Sequence, residues 1–234
     1  MGHKNKRRIA EWLKDLRDKQ YVEWIYSTDF AEKTKPAIYY LGINGVRYLK
    51  TLDEYPVAEL HKRYKESSRS AEFIAKSVLV ADCSLDLLAK NLAKLTYSFA
   101  TNADYTAKNS KYSFLSEELK PDLCYERREQ TKHGLIIEDY LIVVLDAMQP
   151  RHMLRKQLKD YVIYLEEGSW KRHLKGSEII VHIACPIKSE LIYAKRRTRK
   201  LLKDIGRDKR TYIGFTTVDE MKRDGVTGFI WEEV

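Results

Sequence analysis

Lys4-Asn-Lys-Arg-Arg-Ile-Ala-Glu-Trp-Leu-Lys-Asp-Leu-Arg-Asp-Lys19 runs into Tyr21-Val-Glu-Trp-Ile-Tyr26, then Thr28-Asp-Phe-Ala-Glu-Lys-Thr-Lys-Pro36, then Ile38-Tyr-Tyr-Leu41. In the first stretch Ile9, Trp12, Leu13 and Leu16 fall at i, i+3, i+4 and i+7, which predicts an amphipathic helix with one apolar face. Lys4, Lys6, Arg7, Arg8, Lys14 and Arg17 occupy the rest of it. They gather toward the N-terminus, where the helix dipole also favours phosphate. An aromatic strand, a polar basic loop and a returning strand follow. This order is the back half of a winged helix, which lays one helix in the major groove and a wing on the DNA backbone. The expected reader is Lys4, Asn5, Lys6, Arg7, Arg8, Lys14 and Arg17 in the groove, with Lys33 and Lys35 on the wing. A solvated basic face on a structural helix is the plainer alternative. A winged helix has two helices ahead of its recognition helix and this sequence starts almost at it. The expected domain is therefore partial, its support either trimmed away or supplied by a partner.

The whole sequence agrees with a polyanionic partner. Its 234 residues carry 43 Lys and Arg against 34 Asp and Glu, a formal charge of +9, and 44% of them are apolar. That is enough chain for a large domain or two smaller ones, each with a core. Cys83, Cys124 and Cys185 stand apart, without the spacing of a disulfide framework or a zinc site. The longest apolar run, Tyr140-Leu-Ile-Val-Val-Leu145, has the length of a strand rather than a membrane span. The first residues are not a signal peptide, so a cytoplasmic protein without a membrane partner is expected. His3, His61, His133, His152, His173 and His182 show no ligand spacing, and no phosphate-binding glycine motif is present, so no cofactor is expected.

Gly42-Ile-Asn-Gly45 reads as a turn and Val46-Arg-Tyr-Leu49 as the start of a helix. Pro56 separates it from a helical stretch that reaches residue 95, broken near Ser67–Ser70. In that stretch Phe73, Ile74, Val78, Leu85, Leu88, Leu92 and Leu95 form an expected packed face, with an interruption near Asp82–Ser84. The helix at 70–95 is a candidate dimer interface. From Thr96 the period changes to that of strands. Strands are expected at 97–101, 123–129 and 134–148, the last two joined as a hairpin through Thr131-Lys-His-Gly134. A helix from Pro150 to about 166, a strand at 179–184, a helix at 189–205, a strand at 212–216 and a short strand at 229–231 complete the order. The fold class is α/β (α+β): a partial winged helix over 1–66, a helical linker, and a mixed-sheet domain over 67–234.

Lys120-Pro121-Asp122 heads a strand, Val144-Leu-Asp146 ends the next, and the following helix carries Lys156, Lys159 and Tyr161. This is the layout of PD-(D/E)xK nucleases, in which two carboxylates hold Mg²⁺ against phosphate oxygens and a lysine alternates with the second acid. Here the alternation fails, because Val144 stands at the acid's place and Asp146 at the lysine's. Glu126, Glu138 and Asp139 are further acids, none selected by spacing. Lys195-Arg-Arg-Thr-Arg-Lys200, continued by Lys203, Arg207, Lys209 and Arg210, is a second basic region. In it Lys195, Arg196, Arg197, Arg199 and Lys200 fit sequence-independent phosphate contacts. Tyr26, Tyr39 and Tyr40, on the wing strands, fit strand packing first and base or phosphate contact second.

Ile38-Tyr-Tyr-Leu-Gly-Ile-Asn-Gly-Val-Arg-Tyr-Leu49, Leu119-Lys-Pro-Asp122, Val143-Val-Leu-Asp146 and Gln157-Leu-Lys-Asp-Tyr161, in that order, resemble the replication-relaxation family of plasmid and mobile-element proteins. The resemblance implies a winged helix joined to a nuclease-like α/β domain, acting in replication or relaxation. In the family a glutamate tends to stand at the Val144 position and a lysine at the Gln157 position. Both departures favour binding over cutting. The expected function is therefore a non-catalytic double-stranded DNA-binding protein, with a homodimer and replication or conjugation proteins as further partners. One alternative is a Mg²⁺-dependent nuclease or nickase using Asp122 and Asp146 with Lys156 or Lys159. A winged-helix transcriptional regulator and an assembly protein are the others.

Overall fold

The computed structural model describes residues 6–26, 36–52, 54–63, 68–107, 110–115, 119–174, 178–206 and 212–234, without the side chains of Lys6 and Thr106. The chain forms two compact units. One comprises Met1–Val78 with Thr106–Asn109, the other Leu79–Tyr105 with Ser110–Val234. The boundary expected between residues 66 and 67 falls outside the described residues.

In the first unit the basic stretch is the helix α1 (Lys6–Asp18), and an antiparallel ribbon pairs β1 (Val22–Ile25) with β2 (Ile38–Leu41). The tight corner between α1 and β1 is made by Gln20 at φ 58. The expected turn at Gly42–Gly45 is instead the N-cap and first turn of α2 (Ile43–Thr51). It is a helix start because its polar groups are used by that corner. Gly42 N–H donates to Tyr21 O (2.9 Å), Asn44 N–H to Gln20 O (3.0 Å), and Asn44 Nδ2 to Lys19 O (2.9 Å). Glycine is required at position 45, where a Cβ would lie 2.3 Å from Tyr21 O. α3 (Val57–Arg63) follows, with Leu60 buried. The apolar face predicted for α1 is present and half-covered: Ile9, Trp12 and Leu16 are 38–44% exposed, and Leu13 less so.

α4 (Ala71–Ala89) contains the division between the units, after Val78. The expected interruption at Asp82–Ser84 does not occur. Cys83 and Ser84 are buried within a continuous helix, and Ser84 Oγ donates to Val80 O at 2.8 Å. Leu92 and Leu95 lie beyond the helix in an isolated bridge, so among the described residues the predicted helical region holds α3, α4 and a closing turn.

The second unit is an α/β fold built on a six-stranded mixed sheet in sequential order. β3 (Leu95–Thr101), β4 (Leu123–Thr131) and β5 (Gly134–Val144) are antiparallel. β6 (Glu178–Cys185) and β7 (Ile213–Thr217) continue parallel to β5, and β8 (Glu232–Glu233) closes the edge antiparallel. The parallel strands are connected by α5 (Arg151–Glu167) and α6 (Lys188–Asp204), as crossovers require. Alternation along the strands divides the core. Cys124, Leu141, Val143 and Ile183 pack with α5 and α6, whereas Leu123, Tyr125, Ile142 and Val144 pack with Leu79, Cys83 and Leu87 of α4.

Two end features depart from expectation. β5 stops at Val144 rather than 148, and the last strand sits at 232–233, after Trp231 turns its Nε1 to Val226 O (2.9 Å). A helix that the sequence pattern did not predict, α7 (Val218–Asp224), follows β7. Thr217 and Glu220 form its capping box, a T-x-x-E signal legible in the sequence.

Candidate nucleic-acid interface and acid positions

In the first unit the candidate DNA-reading residues start with Arg7 and Arg8. The Arg7 side chain is 88% exposed, with Nε 3.3 Å from Glu11 Oε1. Arg8 lies over the Trp12 ring at 5.2 Å, and Lys14 is exposed. Arg17 differs. Its guanidinium lies 4.1 Å over the Trp24 ring and beside Asp18, and its side chain is only 28% exposed. It therefore fastens α1 to the ribbon by a cation–π contact, and is a poorer candidate for the groove than the three residues nearer the helix start. Trp24 in turn stacks on Tyr26 (5.3 Å, 19°) and meets Tyr39. Tyr40 donates to Glu23 at 2.6 Å. Tyr26, Tyr39 and Tyr40 are thus engaged in ribbon packing. Lys4, Asn5, Lys33 and Lys35 lie outside the described residues.

The second basic region divides on α6. Arg196, Arg199, Lys200 and Lys203 are exposed. Lys195 is nearly buried and paired with Glu232 at 2.9 Å, and Arg197 has its Nε buried without a hydrogen-bond partner. Hydrogen bonds from Lys188 and Lys195 hold the Glu232 carboxyl down at about 2. Of the five cations from 195 to 200, Lys195 is thus neutralised by Glu232 and Arg197 is only partly exposed. Arg207, Lys209 and Arg210 lie outside the described residues.

In the second unit the acids of the nuclease layout have other uses. Asp122 Oδ2 accepts the backbone N–H of Val144 (2.8 Å), which joins the ends of β4 and β5. Val144 itself is buried among Leu123, Tyr125 and Ile142. Asp146, exposed beyond the strand end, accepts from Met148 N–H (2.9 Å) in a turn, and Gln149 Nε2 donates to Gln157 (3.1 Å). Lys156 and Lys159 are exposed on α5, and Tyr161 is buried with its hydroxyl on Leu119 O. A Mg²⁺ ion needs several oxygen donors free to converge on it. An apolar Val144 and an amide Gln157 supply no charged group to that set, and the remaining Asp122 and Asp146 each already accept a backbone N–H. Among the described residues no group of three or more His, Cys, Asp or Glu is placed to hold a metal.

The acids brought together lie elsewhere. Glu126 and Asp139 face each other across β4 and β5, both buried, and Lys111 bonds to both, at 2.7 Å to Asp139. Tyr112 donates to Asp139 at 2.5 Å, and Arg128 pairs with Glu126. Burial raises the Glu126 carboxyl, but its bonds to Arg128 and Lys111 outweigh this and hold it below the ordinary range. Glu138, one position from Asp139, pairs instead with Arg127 at 2.7 Å. The period of two separates Glu138 from Asp139. Only the strand register selects Glu126 as the partner of Asp139, and nothing in the sequence spacing names Lys111.

The sequence model of the replication-relaxation family matches residues 1–179. The chain belongs to that family, which associates it with the replication of plasmids and mobile elements. No curated protein and no solved structure is significantly similar to the chain. Among the described residues no helix is long and apolar enough to cross a membrane.

Proposed function

We propose that this protein binds double-stranded DNA of a plasmid or other mobile element, in the cytoplasm, and acts in its replication or relaxation without cutting it. The first unit acts as a winged helix in this reading, with α1 as the reader and Lys33 and Lys35, between β1 and β2 in the sequence, as further phosphate contacts. The observation that carries this reading is the cationic start of α1, with Arg7 and Arg8 at the surface, on a helix that leads directly into an antiparallel ribbon. Arg196, Arg199 and Lys200 add phosphate contacts, and replication or conjugation proteins are the expected protein partners. The nuclease-like sheet is a frame in this reading, since Asp122 and Asp146 serve a strand end and a turn.

Duplex binding followed by fluorescence anisotropy at several salt concentrations tests it. Affinity should fall steeply with salt, and the Arg7→Ala/Arg8→Ala variant should flatten the slope by about one to two units. Absence of duplex binding even at low salt overturns the DNA reading. Incubation with supercoiled plasmid and Mg²⁺ tests the other half: nicking that disappears in Asp122→Ala would replace the binding protein with a nickase.

A further inference from the structure

α5 and α6 pack side by side, and the seam between them gathers positive charge that the protein leaves unpaired. Tyr193 of α6 marks the seam. Its hydroxyl accepts Arg155 Nε of α5 at 2.6 Å, and the Arg151 and Arg155 guanidiniums lie 5.2 and 5.9 Å from its ring centre. At 3.6 residues per turn the same side of α5 continues to Lys159, and the same side of α6 to Arg197 and Lys200. Arg155, Lys159 and Lys200 are exposed. Arg197 is half-buried, and its Nε is buried without a hydrogen-bond partner.

Several cations elsewhere in this unit are matched. Lys90 pairs with Asp86, Arg127 with Glu138, and on the opposite side of α6 Lys188 and Lys195 pair with Glu232. Among the described residues none of the five seam cations has a carboxylate partner. The sequence supplies few acids to the seam: none occurs from Arg151 to Lys159 or from Leu191 to Lys203. Asp160, one residue past Lys159, is rotated about 100° away from it. The remaining acids stand at the ends. Asp146 and Glu190 line the cleft at the head with Arg151 and Tyr193, and Glu166, Glu167 and Asp204 occupy the last turns of the two helices. Like charges converging on one seam repel, and a polyanion laid along it relieves that repulsion while releasing its own counterions. Arg151, Arg155 and Lys159 span about 12 Å of helix, at 1.5 Å per residue. That length matches about three to four steps of one DNA strand at 3.4 Å each along the axis.

We propose that the α5–α6 seam is a phosphate-binding groove, in which Arg155, Lys159, Arg197 and Lys200, with Arg151 at the head, hold the backbone of duplex DNA without reading its sequence. This rests on the duplex-binding reading and gives the second unit its own DNA contact. The test is fluorescence anisotropy of the full chain on two duplexes of unrelated sequence, over a range of salt concentrations. Lys159→Ala/Lys200→Ala should flatten the slope of log affinity against log salt by about two units. At 0.1 M salt it should weaken binding roughly 10- to 100-fold, equally on both duplexes. Arg155→Ala/Arg197→Ala should do the same, each variant keeping the wild-type circular dichroism spectrum. Lys132→Ala/Lys222→Ala removes the same charge from the β4–β5 loop and from α7, and should change the slope by less than about half a unit. A wild type that binds neither duplex overturns the reading of α1 and the groove together. A wild type that binds, with its slope undiminished in both seam variants, overturns the groove alone. So does an equal flattening by Lys132→Ala/Lys222→Ala, which would mark a net-charge effect, and so does a loss confined to one duplex.

Discussion

Replacing His182 with phenylalanine should remove a defined part of the acid sensitivity of this fold. His182 lies on the central strand β6, 8% exposed, stacked on Trp231 at 3.9 Å and 12° and tilted against Tyr140 at 5.2 Å. Its Nδ1 is buried without a hydrogen-bond partner. Burial alone lowers its pKa from an ordinary 6.5 to about 3. The unfolded chain therefore binds a proton at pH 5 to 6 that the folded chain refuses, and stability falls as pH falls through 6.5. The slope approaches about 1.4 kcal/mol per pH unit, so the loss between pH 7 and pH 5 is about 2 kcal/mol. The carboxyls held low, Glu126, Glu220 and Glu232, contribute stability that is present above about 4.5 and lost below it, which leaves the window from 5 to 6.5 to His182. Phenylalanine keeps a flat ring against Trp231 and does not titrate. Urea unfolding of wild type and His182→Phe at pH 7, 6 and 5 reads the difference. The wild type should lose about 2 kcal/mol and the variant only a few tenths. Parallel losses in both proteins would refute the reasoning, and His182→Gln serves the same comparison should phenylalanine disturb packing beside Gly214.

Other substitutions test single contacts. Lys111→Met should cost roughly 3 kcal/mol, because it leaves Glu126 and Asp139 buried without their shared cation; an unchanged urea midpoint would mean the loop before Leu115 is not held by that lysine. Gly45→Ala drives a methyl into Tyr21 O and should cost roughly 1–3 kcal/mol, read as faster amide exchange in α2 and β1 with little change in the sheet. Val144→Glu buries a carboxylate among Leu123, Tyr125 and Ile142 and should cost roughly 3 kcal/mol, with no recovery on adding Mg²⁺; recovery by Mg²⁺ would show that Asp122 can turn from the backbone to a metal.

The strands and crossover helices of the second unit are legible in the sequence because each has its own period. Alternation in Leu123–Thr131 and Gly134–Val144, together with the Lys132-His133 loop, fixes the hairpin, and α5 begins directly after Pro150. The Thr217-x-x-Glu220 signal for α7 is also readable but short, and the apolar strand before it dominates the pattern. Two other features cannot be read. Leu85 and Leu88 satisfy the same periodicity whether they face a core or water, so their exposure depends on which neighbouring stripe, 79–83–87, the sheet takes. The Lys111, Glu126 and Asp139 cluster depends on a strand register and a distant loop, and no local pattern carries either.

The acids that suggested metal chemistry have a structural use that needs no metal. At the ends of β4 and β5, Asp122 accepts the Val144 N–H. Where β5 ends, the chain must turn toward α5, and Asp146 accepts Met148 N–H within that turn. Deep in the hairpin the opposite arrangement holds: two buried carboxylates would repel, and Lys111 Nζ supplies the positive charge between them from within the chain. Asp122, Asp146, Glu126 and the Oδ1 of Asp139 are thus partnered by groups of the protein itself, while Asp139 Oδ2 is buried without a hydrogen-bond partner. A divalent cation would have to compete at a cost with a backbone N–H at Asp122 and with the ammonium of Lys111 at Asp139. That cost is the physical reason for giving the sheet a supporting part in the proposed function and leaving DNA contact to the exposed cations of the helices.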